Sequence, residues 1–303
     1  MAKFQRGVLA EANLHSLYLL FKLQAGFEDK IRKILAEFQL TIEKFSQDFS
    51  ESELTAFAAI GSEYWFTLYG SHKPEQLTDF PNFKSGNHIA PVTPYDLFIQ
   101  IRSDRVDVNH LVGTHLCLLF GDSVHLQEQV KGFRYLDGRD FTGFIEGGDN
   151  PHGVKRQQVA LVSEYQDPDF AGGSYIHIQR YRHLLSSWNE LSLAEQEKII
   201  GRSKTNNQLL ADQEPSSHYK TTHLFDEYNQ PIEYLNQSMP YGTMKMQGLF
   251  AIACCHTPIA FEQILASRLG VESEYFDRLL NYTRAETGAA FFAPSVDFLK
   301  YSA

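Results

Sequence analysis

An α+β fold made of two successive β-α-β-β-α-β units is what this 303-residue sequence predicts. Two observations carry it. Through residues 14–133, short runs rich in Val, Leu and Phe alternate with longer stretches of helical period. After residue 172 the same alternation resumes, starting from a run that reads as a strand with distinct residues on its two faces. The first unit has the element order of a ferredoxin-like domain, and the pattern of the second half is consistent with a repeat of it. The expected division is an N-terminal domain over residues 1–133 and a C-terminal domain over 134–303.

Residues 14–23, LHSLYLLFKL, read as the first strand. Residues 28–45 read as a helix, because Ile31, Ile34, Leu35 and Phe38 recur at three- and four-residue spacing. TAFAAIGSEYW (55–65) reads as a strand with its turn, and the polar, Pro-bearing stretch 72–87 as a long loop. A strand at 96–103, a helix at 107–121 and a strand at 123–133 complete the first unit. In the second, the strand 172–183 puts Tyr175, His177, Gln179 and Tyr181 on one face and Ile176, Ile178 and Arg180 on the other. Helices follow at 184–189 and 193–201, the latter opened by Ser192 with Glu195 three residues on. Residues 246–256 read as a buried strand, and 260–269 as a helix that stops at Gly270.

Composition bounds the function. A net charge of −10, with no basic run, excludes nucleic acid as the expected partner. The N-terminus lacks an uninterrupted apolar run, since Glu11, Asn13 and His15 break it, so neither a leader nor a membrane span is expected and the compartment is read as cytoplasmic. Cys117, Cys254 and Cys255 form no spaced pair, so disulfides are not expected. Cys254-Cys255-His256 lies in an apolar run, where alternate strand faces would send the two thiols apart.

The densest segment is 132–151, GFRYLDGRDFTGFIEGGDNP. It holds five glycines, four aromatics and the four carboxylates Asp137, Asp140, Glu146 and Asp149. Glycines between bulky rings indicate a backbone that approaches something closely or takes positive φ. Acids held in such a loop are candidates for proton transfer.

GFIEGGDNP (143–151) resembles the GFxDGTxNP signature of the dye-decolourising peroxidases, which are haem enzymes. Further similar segments follow in the family's order: 172–204, SSH at 216–218, and QSMPYGTMKMQGLFAIACCHTPIAFEQIL at 237–265. The likeness is to the bacterial branch with short insertions. It implies two ferredoxin-like domains of the dimeric α+β barrel type, with haem b (iron protoporphyrin IX) held by the second. Hydrogen peroxide and an organic, phenolic or dye-like electron donor would be the reactants, and a homo-oligomer the expected assembly. Capsid-loaded relatives carry an extra C-terminal tail; with the chain stopping at LKYSA, encapsulation is not expected.

The resemblance places His218 at the iron, with His223 as the rival ligand. An acid should accept from the other ring nitrogen, and Asp226, Glu227 and Glu233 are the candidates. On the distal side the chain departs from the family twice: Glu146 stands where the motif has Asp, and Asn236 where the family has Arg. The first change moves the carboxylate by on the order of 1 Å, which can cost ~10²-fold in rate. The second removes a permanent cation. Ser238 is a candidate to hold water or peroxide, and Gly147, Asn150 and Asp149 to shape the loop. Arg180, Arg182, Arg202 and Lys204 are candidates for the propionates. Fifteen tyrosines, Trp65 and Trp188 offer routes for electrons. The alternative to a peroxidase is a haem- or porphyrin-binding protein with little turnover. A structural protein that keeps the fold without haem is the third reading, opposed by His218.

Overall fold

The chain switches between strand and helix as its apolar residues change from period two to a spacing of three and four. The computed structural model describes residues 2–11, 13–271 and 273–302. In the first half these are β1 (His15–Leu23), α1 (Glu28–Asp48), β2 (Thr55–Gly61), α2 (Ser62–Tyr69), β3 (Leu97–Ser103), α3 (Val106–Phe120) and β4 (Val124–Phe133). The second half opens with α4 (Val154–Ala160), β5 (Ser174–His183), α5 (Leu185–Asn189), α6 (Leu193–Ile200) and α7 (His218–Thr222). It continues with β6 (Leu235–Asn236), β7 (Met239–Gly242), β8 (Gln247–Cys255), α8 (Pro258–Leu269), β9 (Thr283–Ala293) and α9 (Val296–Tyr301).

The first half forms the antiparallel order β4-β1-β3-β2. In the second, β6 and β7 both pair with β8, followed by β5 and β9. Both are ferredoxin-like sheets. They meet at two seams, Tyr241 opposite Gly132 and Phe291 and Phe292 opposite Gly61 and Ile60, which close the strands into a ring. The outer strands of the two sheets are therefore joined to each other.

Ring closure makes both faces of most strands apolar. On β1, Tyr18 and Leu20 point into the ring, where Tyr18 stacks on Phe250 at 4.2 Å. Leu17, Leu19 and Phe21 point outward, against Ile31, Leu35 and Phe38 of α1. Each such buried side chain contributes roughly 1.5–3 kcal/mol. The run LHSLYLLFKL has little alternation for this reason.

Two local readings change. Residues 62–65 open helix α2 instead of a turn, because Trp65 and Leu68, three apart, are both buried. The stretch read as a loop ends in a pair of two-residue strands at Lys84–Ser85 and His88–Ile89. Ser192 caps α6 by accepting from the Glu195 N–H at 3.2 Å, and Gly270 ends α8 in the left-handed conformation. Cys254 faces the interior of the ring and Cys255 the helical layer. Among the described residues no helix is long and apolar enough to cross a membrane.

Candidate active site

The outer face of β8 and β5 is the floor of the site. Asn236 pairs with Ala253, and Ala253 with His177, so these three share a face. Gly248 lets β8 approach β5; a Cβ there would lie 1.9 Å from the Tyr181 carbonyl oxygen. On that floor Asn236, Ser238 and Ala251 remain partly exposed, whereas Ala253 and His177 are buried.

The glycine-rich loop lies across this floor. Gly147 takes φ +67°, and Asn150 behind it pins the loop to β6. The Asn150 amide donates to the Asn236 carbonyl at 2.7 Å, and its oxygen accepts from the Asn236 N–H at 2.8 Å. Asn150 and Gly147 thus hold the loop's path.

The pinned loop brings Glu146 to Asn236, whose Nδ2 donates to Glu146 Oε1 at 2.8 Å. Asn236 Oδ1 accepts from the Ser238 N–H at 2.8 Å, so the amide is engaged at both ends and its orientation is set. Burial raises the Glu146 carboxyl above the usual range, and the negative charge of Asp140 adds to this; the Asn236 hydrogen bond, His218 and His183 oppose it. The result is a carboxyl that exchanges a proton more readily near neutrality than an exposed glutamate. Ser238 Oγ accepts from the Ile252 N–H at 3.2 Å, which leaves its hydroxyl proton free to donate.

His218 opens α7, a five-residue helix capped by Ser217. Its Nδ1 lies 2.7 Å from Asp277 Oδ2. Asp277 is fully buried; it also accepts from Arg268 Nε at 2.9 Å and from the Leu279 N–H at 3.0 Å. Burial alone would raise its carboxyl, but His218 and Arg268 outweigh that and hold it at about 2. An ionised carboxylate only accepts, so His218 Nδ1 carries a proton, and in the neutral ring Nε2 is the nitrogen with the lone pair. No described residue hydrogen-bonds that Nε2.

His223 differs. Its Nε2 lies 3.2 Å from Asp149 and its Nδ1 3.0 Å from the Tyr219 carbonyl, so both nitrogens are engaged. Arg202 closes this cluster, its Nη2 2.7 Å from Asp149 Oδ1 and its guanidinium over the Tyr219 ring.

Asp277 was not among the acids expected beside His218. Asp226 instead folds its own turn by accepting from the Tyr228 and Gln230 N–H groups, Glu233 pairs with Lys155 at 2.5 Å, and Glu227 is exposed. Arg180 and Arg182 are not brought to Glu146 and His218 either. Strand alternation turns them to the other face of β5, where Arg180 pairs with Glu128 at 2.6 Å and Glu286 at 2.5 Å. Lys204 donates to Gln196 at 2.8 Å. Asp140, one of the loop's four carboxylates, faces His183 at 3.2 Å near Glu146, a pairing that no sequence spacing indicates.

The donor set suits a flat, iron-bearing cofactor. A histidine with one unengaged nitrogen, backed by a carboxylate, lies within electrostatic reach of the Glu146 carboxyl.

Comparison with known proteins identifies the family. The family model described as Dyp-type peroxidase, N-terminal, matches residues 5–134, and the one described as Dyp-type peroxidase, C-terminal, matches residues 137–298. The chain belongs to the Dyp-type peroxidase family. A dye-decolorizing peroxidase of Rhodococcus erythropolis is 33% identical over 94% of this chain and 84% of its own length. A solved Shewanella oneidensis protein, described as a putative dyp-type peroxidase, superposes with TM-score 0.96 at 45% identity, covering 99% of each chain. A Rhodococcus jostii DypB variant solved in complex with heme has TM-score 0.93 at 30% identity, covering 97% of each chain. An encapsulated DyP-type peroxidase of Mycobacterium smegmatis has TM-score 0.95 at 31% identity over 99% of this chain and 98% of its own. Membership in the Dyp-type family makes the chain one of a group of haem-dependent peroxidases.

Proposed function

We propose that this Dyp-type chain binds haem b through His218 Nε2, reduces hydrogen peroxide and oxidises phenolic or dye-like donors, using Glu146 and Asn236 in place of the family's Asp and Arg. The observation that carries the reading is the His218–Asp277 pair, whose Nε2 has no hydrogen-bond partner among the described residues, near enough to the Glu146–Asn236 pair to act on the Glu146 carboxyl electrostatically. The three cysteines are not spaced for thioether attachment, which favours a non-covalent haem.

Haem iron, when bound, supplies the Lewis acid and the electrons with which the O–O bond is broken. Asp277 holds the His218 ring in one tautomer and raises its basicity. Glu146 takes the proton from one peroxide oxygen and returns it to the other, which leaves as water. Asn236 holds the Glu146 carboxyl in place, and Ser238 can donate its hydroxyl proton to a bound oxygen. Arg202, beside Asp149 at the loop, is the cation best placed for a propionate. The assembly is proposed to be a cytoplasmic homo-oligomer, as the sequence reading has it.

One observation favours a second reading, a haem- or porphyrin-binding protein with little turnover. Asn236 brings no charge and both ends of its amide are already used. Loss of one preorganised donor typically costs roughly 3–4 kcal/mol in a transition state. Rapid mixing of the haem-loaded protein with hydrogen peroxide decides between the two. A fast peroxide-dependent change in the haem spectrum, reversed by a phenol, is the expected result; an unchanged spectrum leaves the second reading.

A further inference from the structure

Arg268 has two roles. Its Nε binds the Asp277 oxygen that His218 also uses, and it forms part of the wall of a cavity of about 770 Å3. Glu146, Asn236, Ser238 and His218 do not line that cavity. Its apolar side is Leu265 and Leu269 of α8 with Leu280, and its volume is in the range that takes an aromatic molecule of drug size.

Arg182 and Arg284, at the opposite side, are directly opposed residues of β5 and β9. Like charges at opposed positions of an antiparallel pair destabilise the sheet. One carboxylate, Glu286, serves this side and is shared among the arginines. Glu286 is already paired with Arg180 at 2.5 Å and lies 3.5 Å from Arg182, while Arg284 makes no ion pair among the described residues. Arg284 is exposed and Arg182 has only a share of Glu286, so both guanidiniums can address an anion placed between them, and two such forks match a carboxylate or sulfonate.

We propose that this cavity seats an aromatic electron donor bearing a carboxylate or sulfonate, with its anionic group between Arg182 and Arg284 and its ring against Leu265, Leu269 and Leu280. The proposal rests on the peroxidase reading above. Each donor gives up one electron and one proton and becomes a radical; two donors match the two electrons with which one hydrogen peroxide becomes two waters. Tyr181, in the same wall, donates to Gln179 at 2.7 Å and accepts from Arg268 Nη1 at 3.2 Å. Tyr181, Arg268, Asp277 and His218 form a continuous hydrogen-bonded line from the cavity to the site.

The test is a calorimetric titration of the haem-loaded protein with 2-naphthalenesulfonate, a probe that needs no turnover. One site is expected, weakened by about tenfold or more in Arg284→Gln and partly restored in Arg284→Lys. Cyanide-saturated protein should bind the sulfonate as well as the untreated protein does, because the cavity is not the space above the iron. Arg284→Gln should melt no lower than the parent, since it removes a like-charge pair. Equal affinity in the parent and Arg284→Gln, or loss of binding with cyanide, overturns the assignment. A protein that passes this titration but shows no peroxide-dependent spectral change keeps the anion site while the peroxidase reading fails; the converse loses the site alone.

Discussion

His218 and Arg268 share one oxygen: Nδ1 of the histidine and Nε of the arginine both address Asp277 Oδ2, at 2.7 and 2.9 Å. Arg268 is itself largely buried, so the carboxylate balances a cation as well as orienting the imidazole. Asp277→Asn removes the charge from both. Losing one partner of a buried pair costs about 3–5 kcal/mol, which denaturant unfolding measures. A less electron-donating His218 should also raise the reduction potential of the haem-loaded protein. A variant with parental stability and potential would show that Asp277 is not charged in the folded chain.

The same carboxyl sets an acid limit. Asp277 titrates at about 2 in the folded chain, against about 3.9 unfolded. Its stabilisation is complete above about pH 4 and is lost as pH falls toward 2, a change of roughly 2–3 kcal/mol. Parent stability should therefore fall more steeply than that of Asp277→Asn across this window. Parallel acid-unfolding curves would count against the assignment.

His218→Ala should lose the haem absorbance, or recover it only when imidazole is added. His223 has both nitrogens engaged and cannot substitute without releasing Asp149. Full loading of His218→Ala with an unchanged spectrum would move the ligand elsewhere.

Glu146 should show a conflict between stability and chemistry. Its pKa is raised by burial and by Asp140, so its ionised form strains the fold at neutral pH. Glu146→Gln should raise the melting temperature at pH 7. That gain should vanish below the unfolded pKa of about 4.3, where the parent carboxyl is protonated in both states. The same variant should slow the peroxide-driven spectral change by about tenfold or more. A rate that hardly changes would assign the proton to another group.

What could be read from the sequence follows from how far apart the partners lie. Glu146, His218 and Asn236 each sit in a short contiguous motif, so their types and neighbours were visible together. Asp277 lies 59 residues from His218, and no local spacing links them; the nearer acids were spent on a turn and a surface pair. Strand β9 was missed because it begins with the polar run Thr283 to Thr287 and is interrupted by Gly288, which admits the Pro91 carbonyl. Ring closure was equally invisible, since only one or two residue pairs form each seam. Periodicity within an element was reliable where one face met a helix, as in α1, and weak where both faces were covered, as in β1.

The most demanding prediction joins Glu146 and Asn236. Their 2.8 Å hydrogen bond makes them one unit, so the two departures from the family pattern should be coupled. Asn236→Arg alone restores a cation but removes the oxygen that accepts from the Ser238 N–H, a loss of about 1 kcal/mol. The added length also meets a glutamate one methylene longer than the family's aspartate. Asn236→Arg should therefore accelerate the reaction with peroxide modestly, and the Glu146→Asp, Asn236→Arg pair by more than the product of the single changes. Stopped-flow rates for the four proteins of this cycle, all with haem fully loaded, measure the coupling. A double variant no faster than the parent would show that neither residue limits the reaction, and that peroxide is activated by groups other than the pair that borders His218.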